Sequence, residues 1–192
     1  MRHGMTRMSW FSAVLLTAIL LAGCGRSIMI PTTAKPQLAE GKALVTFIRA
    51  TSFGGAIDFG LWDGENLVGV LDPKTYIQVE VDPGEHYFLA RAENWSIVKA
   101  NLEAGKRYYV LANVAMGVWK ARVVLRPIRQ GDADYKQENI DAWLTDLRPM
   151  MPDPGQAPAY VQRRVEEVRK ALENAKSGQA ETLPLEAGDS FN

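Results

Sequence analysis

The segment from Ala43 to Ile128 constrains the fold most, because short runs of β-branched and aromatic residues alternate there with turn residues. A reversal signal recurs about every eight to twelve residues, which is typical of an all-β sandwich or barrel. Asp63-Gly64 suits a tight hairpin and Pro83-Gly84 suits a type II turn, since glycine adopts positive φ without strain. The predicted strands are Ala43–Ala50, Ile57–Asp63, Leu67–Leu71, Thr75–Val81, His86–Ala92, Ile97–Leu102, Arg107–Val114 and Val118–Ile128.

Side-chain alternation within these strands indicates one buried face and one solvent face. Ile77, Val79 and Val81 fall on the same side of the fourth predicted strand, because successive side chains of a strand point to opposite faces. Strands of this kind pack as two sheets rather than as a parallel α/β core. The predicted fold class is mainly β: an antiparallel β-sandwich of seven to eight strands over residues 42–128, with two C-terminal α-helices appended.

The apolar period changes to that of a helix after Pro127. One predicted helix carries Ile140, Trp143, Leu144 and Leu147, and a second covers Ala159–Lys176 with a seam of Val161, Val165, Val168 and Leu172. A narrow seam needs a surface to pack on, and either the sandwich itself or another protein would provide it. Residues 132–176 are therefore a predicted two-helix extension. Residues 177–192 are predicted to be a disordered tail.

The first residues of the chain have the pattern of a secretory signal. Residues 1–9 carry basic side chains without an acid, and an apolar stretch runs from Trp10 to Leu21. It is followed by Leu21, Ala22, Gly23 and Cys24, which resemble a bacterial lipobox. We therefore predict a lipoprotein signal peptide over residues 1–23 and a lipidated N-terminus and tether over residues 24–41. A membrane span and a plain secreted protein are the alternative interpretations.

Lipidation would fix the location of the protein. Cys24 is the single cysteine of the chain, and as a lipidated residue it would carry a diacylglycerol and an N-acyl chain, which together hold a protein persistently on a membrane. Residue 25 is Gly rather than Asp, which by analogy with enteric bacteria predicts the outer membrane, facing the periplasm. Because the formal net charge is zero, no nucleic-acid partner is expected. The expected partners are the membrane, through the anchor, and an envelope protein or glycan.

Part of the β segment resembles a family of bacterial lipoproteins with a domain of unknown function, the one numbered twenty-eight forty-six. The resemblance lies in Leu71 and Tyr76, in the turn Pro83-Gly84-Glu85-His86, and in Gly105-Lys106-Arg107-Tyr108-Tyr109, and the opening strand "ALVTFIRA" also fits. It covers roughly residues 42–128 and implies a small β-sandwich. The family brings no established activity and no catalytic residues. The two C-terminal helices lie outside its pattern.

No catalytic residue, metal site or cofactor is predicted beyond the acyl groups on Cys24. His86 is the single histidine after the signal peptide, and it could act as a general base or metal ligand, but a structural hydrogen bond beside the turn is favoured. Trp62, Tyr76 and Tyr87 could form an exposed aromatic face, although packing beneath the C-terminal helices is favoured. The possible interaction surface comprises Trp62 and Tyr76 and, separately, the seam Val161, Val165, Val168 and Leu172. The leading hypothesis is a non-enzymatic interaction module. A ligand- or glycan-binding lipoprotein is second, and a hydrolase using His86 is third.

Overall fold

A computed structural model describes residues 27–191 except residues 35, 37, 56, 58 and 117–120. The chain is mainly β, with 44% of residues in strands and 20% in helices, which confirms the predicted class. The strands are β1 (Met29–Pro31), β2 (Ala43–Arg49), β3 (Phe59–Asp63), β4 (Asn66–Leu71), β5 (Thr75–Val81), β6 (Gly84–Arg91), β7 (Trp95–Leu102), β8 (Arg107–Met116), β9 (Ala121–Pro127), β10 (Arg148–Pro152) and β11 (Leu183–Leu185). The helices are α1 (Gln137–Asp146), α2 (Ala157–Gln162) and α3 (Val165–Lys176), and a 3₁₀ turn covers Ala187–Asp189.

The strands form two sheets. In the described part of the chain, one sheet has the order β1-β10-β5-β2-β8-β9 and the other has the order β11-β7-β6-β3-β4. The prediction of purely antiparallel pairing was wrong, because β2 pairs parallel with β8, β10 with β5, and β11 with β7. Between β2 and β8 the chain passes through strands of the second sheet, so that it can re-enter beside β2 in the same direction. The start of the last predicted strand, Val118, lies outside the described residues.

The two sheets share one apolar core. Phe47 of β2 meets Phe88 of β6 edge to face, with ring centroids 5.1 Å apart, and both side chains are fully buried. Val45 of β2 and Leu61 of β3 belong to the same cluster. The predicted solvent face is nevertheless missing from β2, where every residue from Ala43 to Arg49 is buried, because helices and terminal segments cover the outer faces.

Helix α1 covers the outer face of the six-stranded sheet. Ile140 of α1 packs in a cluster with Ile48 of β2, Tyr76 of β5 and Tyr109 of β8. Phe191, near the C-terminus, joins this cluster with its ring centroid 5.0 Å from that of Tyr109. Burial of these side chains on this face stabilises the sheet, since a buried aromatic or aliphatic side chain contributes about 1.5–3 kcal/mol.

Helix α3 covers the outer face of the five-stranded sheet. Its buried side chains Val168, Ala171 and Leu172 pack on Trp62 of β3 and on Leu89 of β6. The favoured prediction that the aromatic side chains lie beneath the helices is confirmed. The seam therefore packs on the chain's own sheet.

The predicted second helix differs from the structure in one respect. Instead of a continuous helix over Ala159–Lys176, the chain forms α2 and α3, with a break at Arg163 and Arg164. The proline-rich segment between α1 and α2 contains β10, which pairs with β5 and with β1. The two-helix extension is thus a part of the sheet as well as its cover.

The prediction of a disordered tail was wrong. Strand β11 pairs with β7, Leu185 is fully buried, and the Tyr135 hydroxyl donates a hydrogen bond of 2.6 Å to the Ser190 carbonyl. Asp189 accepts hydrogen bonds from the backbone of Gln130 and Glu186, both at 2.9 Å. A few buried side chains and backbone pairing order a segment whose composition alone is polar and rich in small residues.

The predicted tether also lies against the domain where it is described. Strand β1 pairs with β10, Met29 is buried in the shared core, and the Ile28 carbonyl accepts a hydrogen bond from the Asp153 amide at 2.7 Å. Further along, the Ala39 amide donates to the Glu80 carboxylate at 2.9 Å. The predicted signal peptide and the lipobox with Cys24 lie outside the described residues. Within those residues, helices fall short of the length and apolarity needed to cross a bilayer.

Candidate functional site

His86 lies where two turns meet. It occupies the start of β6, and its Nδ1 lies 2.9 and 3.0 Å from the two carboxylate oxygens of Asp63 at the end of β3. Its Nε2 lies 2.8 Å from the carbonyl oxygen of Asp82, in the turn that precedes β6. The hairpin glycine Gly64, at φ 57°, follows Asp63 directly, and its amide donates a hydrogen bond of 2.9 Å to the Tyr87 carbonyl in β6.

The environment of His86 favours the charged imidazolium. The hydrogen bond with Asp63 raises the pKa of His86, and this effect outweighs burial, which lowers it. A neutral imidazole has only one N–H donor, whereas both ring nitrogens here face acceptors. The cation satisfies both contacts, so His86 acts as a brace between the two turns.

This geometry does not match the role of a general base. In a nucleophile–His–Asp arrangement, the second ring nitrogen must face the nucleophile, and here it faces the Asp82 carbonyl. The Asp63–His86 contact therefore matches the His–Asp part of such an arrangement, but a backbone carbonyl occupies the position that the nucleophile would take. The favoured prediction, a structural hydrogen bond beside the turn, agrees with these contacts.

The predicted interaction surface is mostly interior. Trp62 and Val168 are fully buried, and Tyr76 and Leu172 are 4% and 7% exposed. Val161 and Val165 are half-buried. The six residues do not form one face, since Tyr76 lies under α1 while the others lie around α3. The prediction of an accessible surface at these residues is corrected accordingly.

Trp62 is held in a closely packed pocket. Its ring stacks on Tyr160 of α2, with centroids 6.2 Å apart and planes inclined by 21°. Gly60 permits this approach, because a Cβ at that position would lie 2.5 Å from the Tyr160 hydroxyl. A side chain so enclosed contributes to stability and is not accessible to a ligand.

Arg49 is a buried polar residue that sequence reasoning missed. Its side chain, at the end of β2, is fully buried, and it donates hydrogen bonds to the carbonyls of Ile57 and Leu71 at 2.7 Å and of Gly54 at 2.8 Å. The guanidinium also lies 4.3 Å from the centre of the Phe59 ring. The available signal was an arginine at the end of an otherwise apolar strand. Its function is to fix the loop between β2 and β3.

Large apolar side chains are exposed in the loop after β2 and at the β1–β10 pair. Phe53, in the loop that Arg49 holds, is 51% exposed, the largest value among the exposed large apolar residues of the described chain. Ile30 and Met151 are 36% and 39% exposed, and they face each other across the β1–β10 pair. These apolar side chains are accessible for contact with something outside the molecule.

Grooves on the described surface differ in character. A polar cleft of about 620 Å³ lies along β7 and β11 and is lined by Glu85, Lys99, Ala100, Asn101, Thr182, Pro184 and Glu186. A smaller groove of about 200 Å³ lies beside β10 and is lined by Thr32, Ala34, Pro36, Tyr76, Gln78, Pro149, Met150 and Met151. The first suits a small polar ligand, and the described residues that line the second have uncharged side chains.

The described residues contain no cluster of His, Cys, Asp or Glu arranged to hold a metal ion. Comparison with known proteins finds no matching family model, no matching curated protein and no matching solved structure. The resemblance to the lipoprotein family therefore stays a prediction that rests on the quoted motifs.

Proposed function

We propose that this protein is a lipid-anchored protein of the bacterial cell envelope, held at the outer membrane and facing the periplasm, which acts by contact and not by catalysis. The observation that carries the proposal is the lipobox Leu21-Ala22-Gly23-Cys24 behind a basic and then apolar N-terminus. Two or more acyl chains on one cysteine give stable membrane attachment, whereas a single chain binds marginally.

The environment of His86 supports a contact function. Both ring nitrogens are engaged in holding turns, and the buried charge of Arg49 is engaged in holding a loop. These polar groups rigidify the ends of the strands. A rigid framework with an exposed aromatic side chain on a fixed loop, as at Phe53, is suited to recognition of a partner.

We infer further that the two sheets form a β-sandwich. Support comes from the core cluster, whose members belong to both sheets, and from the direct contact of Phe47 with Phe88. On this view, the predicted sandwich of seven to eight strands is extended by strands from the terminal segments, β1, β10 and β11.

The anchor is tested with Cys24→Ser. We expect the wild-type protein to enter the detergent phase on Triton X-114 partitioning and to incorporate labelled palmitate, and the variant to do neither. Gly25→Asp is the matched control, because it keeps the cysteine and should change only the membrane in which the protein resides. Equal partitioning of the wild type and Cys24→Ser would contradict the proposal.

The contact function is tested by photo-crosslinking in living cells. A photoreactive residue at Phe53 should give a discrete protein adduct, and the same residue at Lys170, on the exposed side of α3, should give less. If Phe53 gives only lipid adducts or none, the interaction-module proposal loses its support.

The polar cleft along β7 and β11 favours a second candidate function, the binding of a small polar ligand or glycan. Asn101 and Thr182 line it beside the Glu85–Lys99 ion pair, whose charged atoms are 2.9 Å apart. Titration calorimetry with peptidoglycan fragments should give binding that Asn101→Ala weakens. Heats that do not differ from dilution would contradict this candidate.

A further inference from the structure

Ile30 and Met151 form a continuous apolar pair at one edge of the six-stranded sheet. They are direct partners across the antiparallel β1–β10 pair, where opposite side chains lie about 5 Å apart. Met151 lies two residues after Pro149, so the two side chains point to the same face of the sheet. Pro149 is the partner of Tyr76 in β5, whose side chain points to the outer face, and so Met151 and its partner Ile30 also lie on the outer face. Tyr76 belongs to the cluster beneath α1, but Ile30 and Met151 remain more than a third exposed.

This pair lies close to the predicted lipid attachment. Met29 is five positions after Cys24, and five residue steps span at most about 18 Å when the chain is fully extended. Met29 itself is fixed in the core, so the position of β1 limits how far the domain can move from the acyl chains. The segment that links Cys24 to the folded domain is therefore much shorter than the tether of residues 24–41 that the sequence predicts.

We propose that the edge formed by Ile30 and Met151 rests on the lipid bilayer that holds the acyl chains of Cys24. The inference rests on the proposed lipid anchor and adds the orientation of the domain on the membrane. Apolar side chains at an interface with lipid are removed from water, and methionine adapts its shape to an irregular neighbour.

The chemistry of this edge favours lipid over a protein strand. The described residues that line the groove beside Met151 are uncharged, among them Ala34, Pro36 and Pro149. Pro31 in β1 lacks an N–H donor, and β1 has only three residues, so it offers little for the addition of another strand. A bilayer surface requires no backbone pairing and accepts this apolar, proline-rich edge.

The test uses the full-length protein in its native envelope, with p-benzoylphenylalanine at one position at a time. Ile30→p-benzoylphenylalanine and Met151→p-benzoylphenylalanine should form adducts with lipid. Val124→p-benzoylphenylalanine is the matched control, since Val124 is 36% exposed, like Ile30. Val124 lies on the same outer face, through its pairing with Asn113. Its strand β9 is five strand spacings, or about 24 Å, from β1 and four spacings, or about 19 Å, from β10.

We expect at least fivefold more lipid adduct from Ile30 and Met151 than from Val124, with equal thermal unfolding of the three variants. The mass of the N-terminal peptide from the same samples reports whether Cys24 is lipidated. Lipidated protein with equal adduct yields at all three positions, or with protein adducts at Ile30 and Met151, would overturn the inference and leave the anchor intact. An unmodified Cys24 would overturn the proposed function and this inference with it.

Discussion

At the residue scale, His86 links the charge of a single side chain to the stability of two turns. Its pKa is raised by the hydrogen bond with Asp63, so folding favours the protonated form. Such a group contributes its full stabilisation below the pKa of the unfolded state, near 6.5, and that contribution is lost as the pH rises through the folded-state pKa.

We expect His86→Gln to lower the free energy of unfolding by about 1–2 kcal/mol at pH 5 and by less at pH 8, because hydrogen bonds of a charged group are the stronger ones. Urea unfolding at the two pH values measures the difference. Asp63→Asn should reduce the same pH dependence, and adding it to His86→Gln should have little further effect. A pH-independent loss in His86→Gln would contradict the assignment of charge.

Arg49 gives the second prediction at this scale. Arg49→Lys keeps the charge but not the planar group that reaches several carbonyls at once. We expect it to lower the free energy of unfolding by at least about 2 kcal/mol, since buried carbonyls would lose their donors. Arg148→Lys, at an exposed position, is the matched control and should change stability little. Thermal unfolding compares the two, and equal midpoints would contradict the bracing role.

At the residue scale, the sequence predicted the role of a side chain where one local contact determines it. The prediction was incomplete where the environment of a side chain depends on several segments of the chain. The Pro-Gly turn placed His86 beside a hydrogen-bond acceptor. Trp62 was harder, because the register of β3 against β4 shifts between Leu61 and Trp62, and both residues are fully buried. Local alternation indicates two faces but does not indicate that a helix from the far end of the chain covers the second.

At the element scale, the contact of α3 with the five-stranded sheet determines which of its side chains are buried. Val168 is fully buried against the five-stranded sheet, whereas Val165, one turn earlier, is half-buried. Helix α3 is also tied to the β3–β4 hairpin, because the Arg169 guanidinium donates two hydrogen bonds to the Glu65 carboxylate, at 2.9 and 3.2 Å.

Val168→Glu should therefore lower the free energy of unfolding by roughly 3 kcal/mol or more, since it buries a carboxylate among apolar side chains. Val165→Glu is the matched control, and we expect a loss of about 1 kcal/mol or less at this half-exposed position. Chemical unfolding followed by tryptophan fluorescence measures both. Equal losses would show that α3 does not pack in the described orientation.

The ordered C-terminal segment gives a further prediction. Phe191 packs on Tyr109 and Tyr135, with ring centroids at 5.0 and 4.3 Å. We expect Phe191→Ala to cost about 3 kcal/mol, whereas Ser177→Ala, at an exposed position before β11, should cost little. Differential scanning calorimetry compares the variants. A disordered tail would instead leave the unfolding temperature of Phe191→Ala unchanged.

The eight strands from β2 to β9 could be predicted because each is a short run rich in β-branched or aromatic residues and is bounded by its own turns. Strands β10 and β11 could not, because "RPMMP" and "LPL" are short, rich in proline and become strands only through their partners. The parallel pairing of β2 with β8 could not be predicted from local sequence patterns either, since it depends on the route of the chain through both sheets.

At the scale of the whole molecule, the chain is one folded unit rather than a sandwich with an independent extension. We expect a fragment of residues 42–128 to lack a cooperative urea transition by circular dichroism, because it would expose the sheet faces that α1 and α3 cover. The matched comparison is residues 27–192, which should unfold cooperatively. A cooperative fragment of comparable stability would show that the extension is dispensable.

The pairing of β1 with β10 joins the beginning of the described chain to a segment near its end. Residues 29–31 therefore cannot reach their final position until residues 148–152 have been synthesised, because contacts between distant segments form late. Throughout that interval the stretch next to Cys24 is not held by the sheet. On the proposed lipidation of Cys24, an order of events in biogenesis follows: the modifying enzyme would find its substrate unconstrained, and completion of the fold would afterwards draw the modified end against the domain.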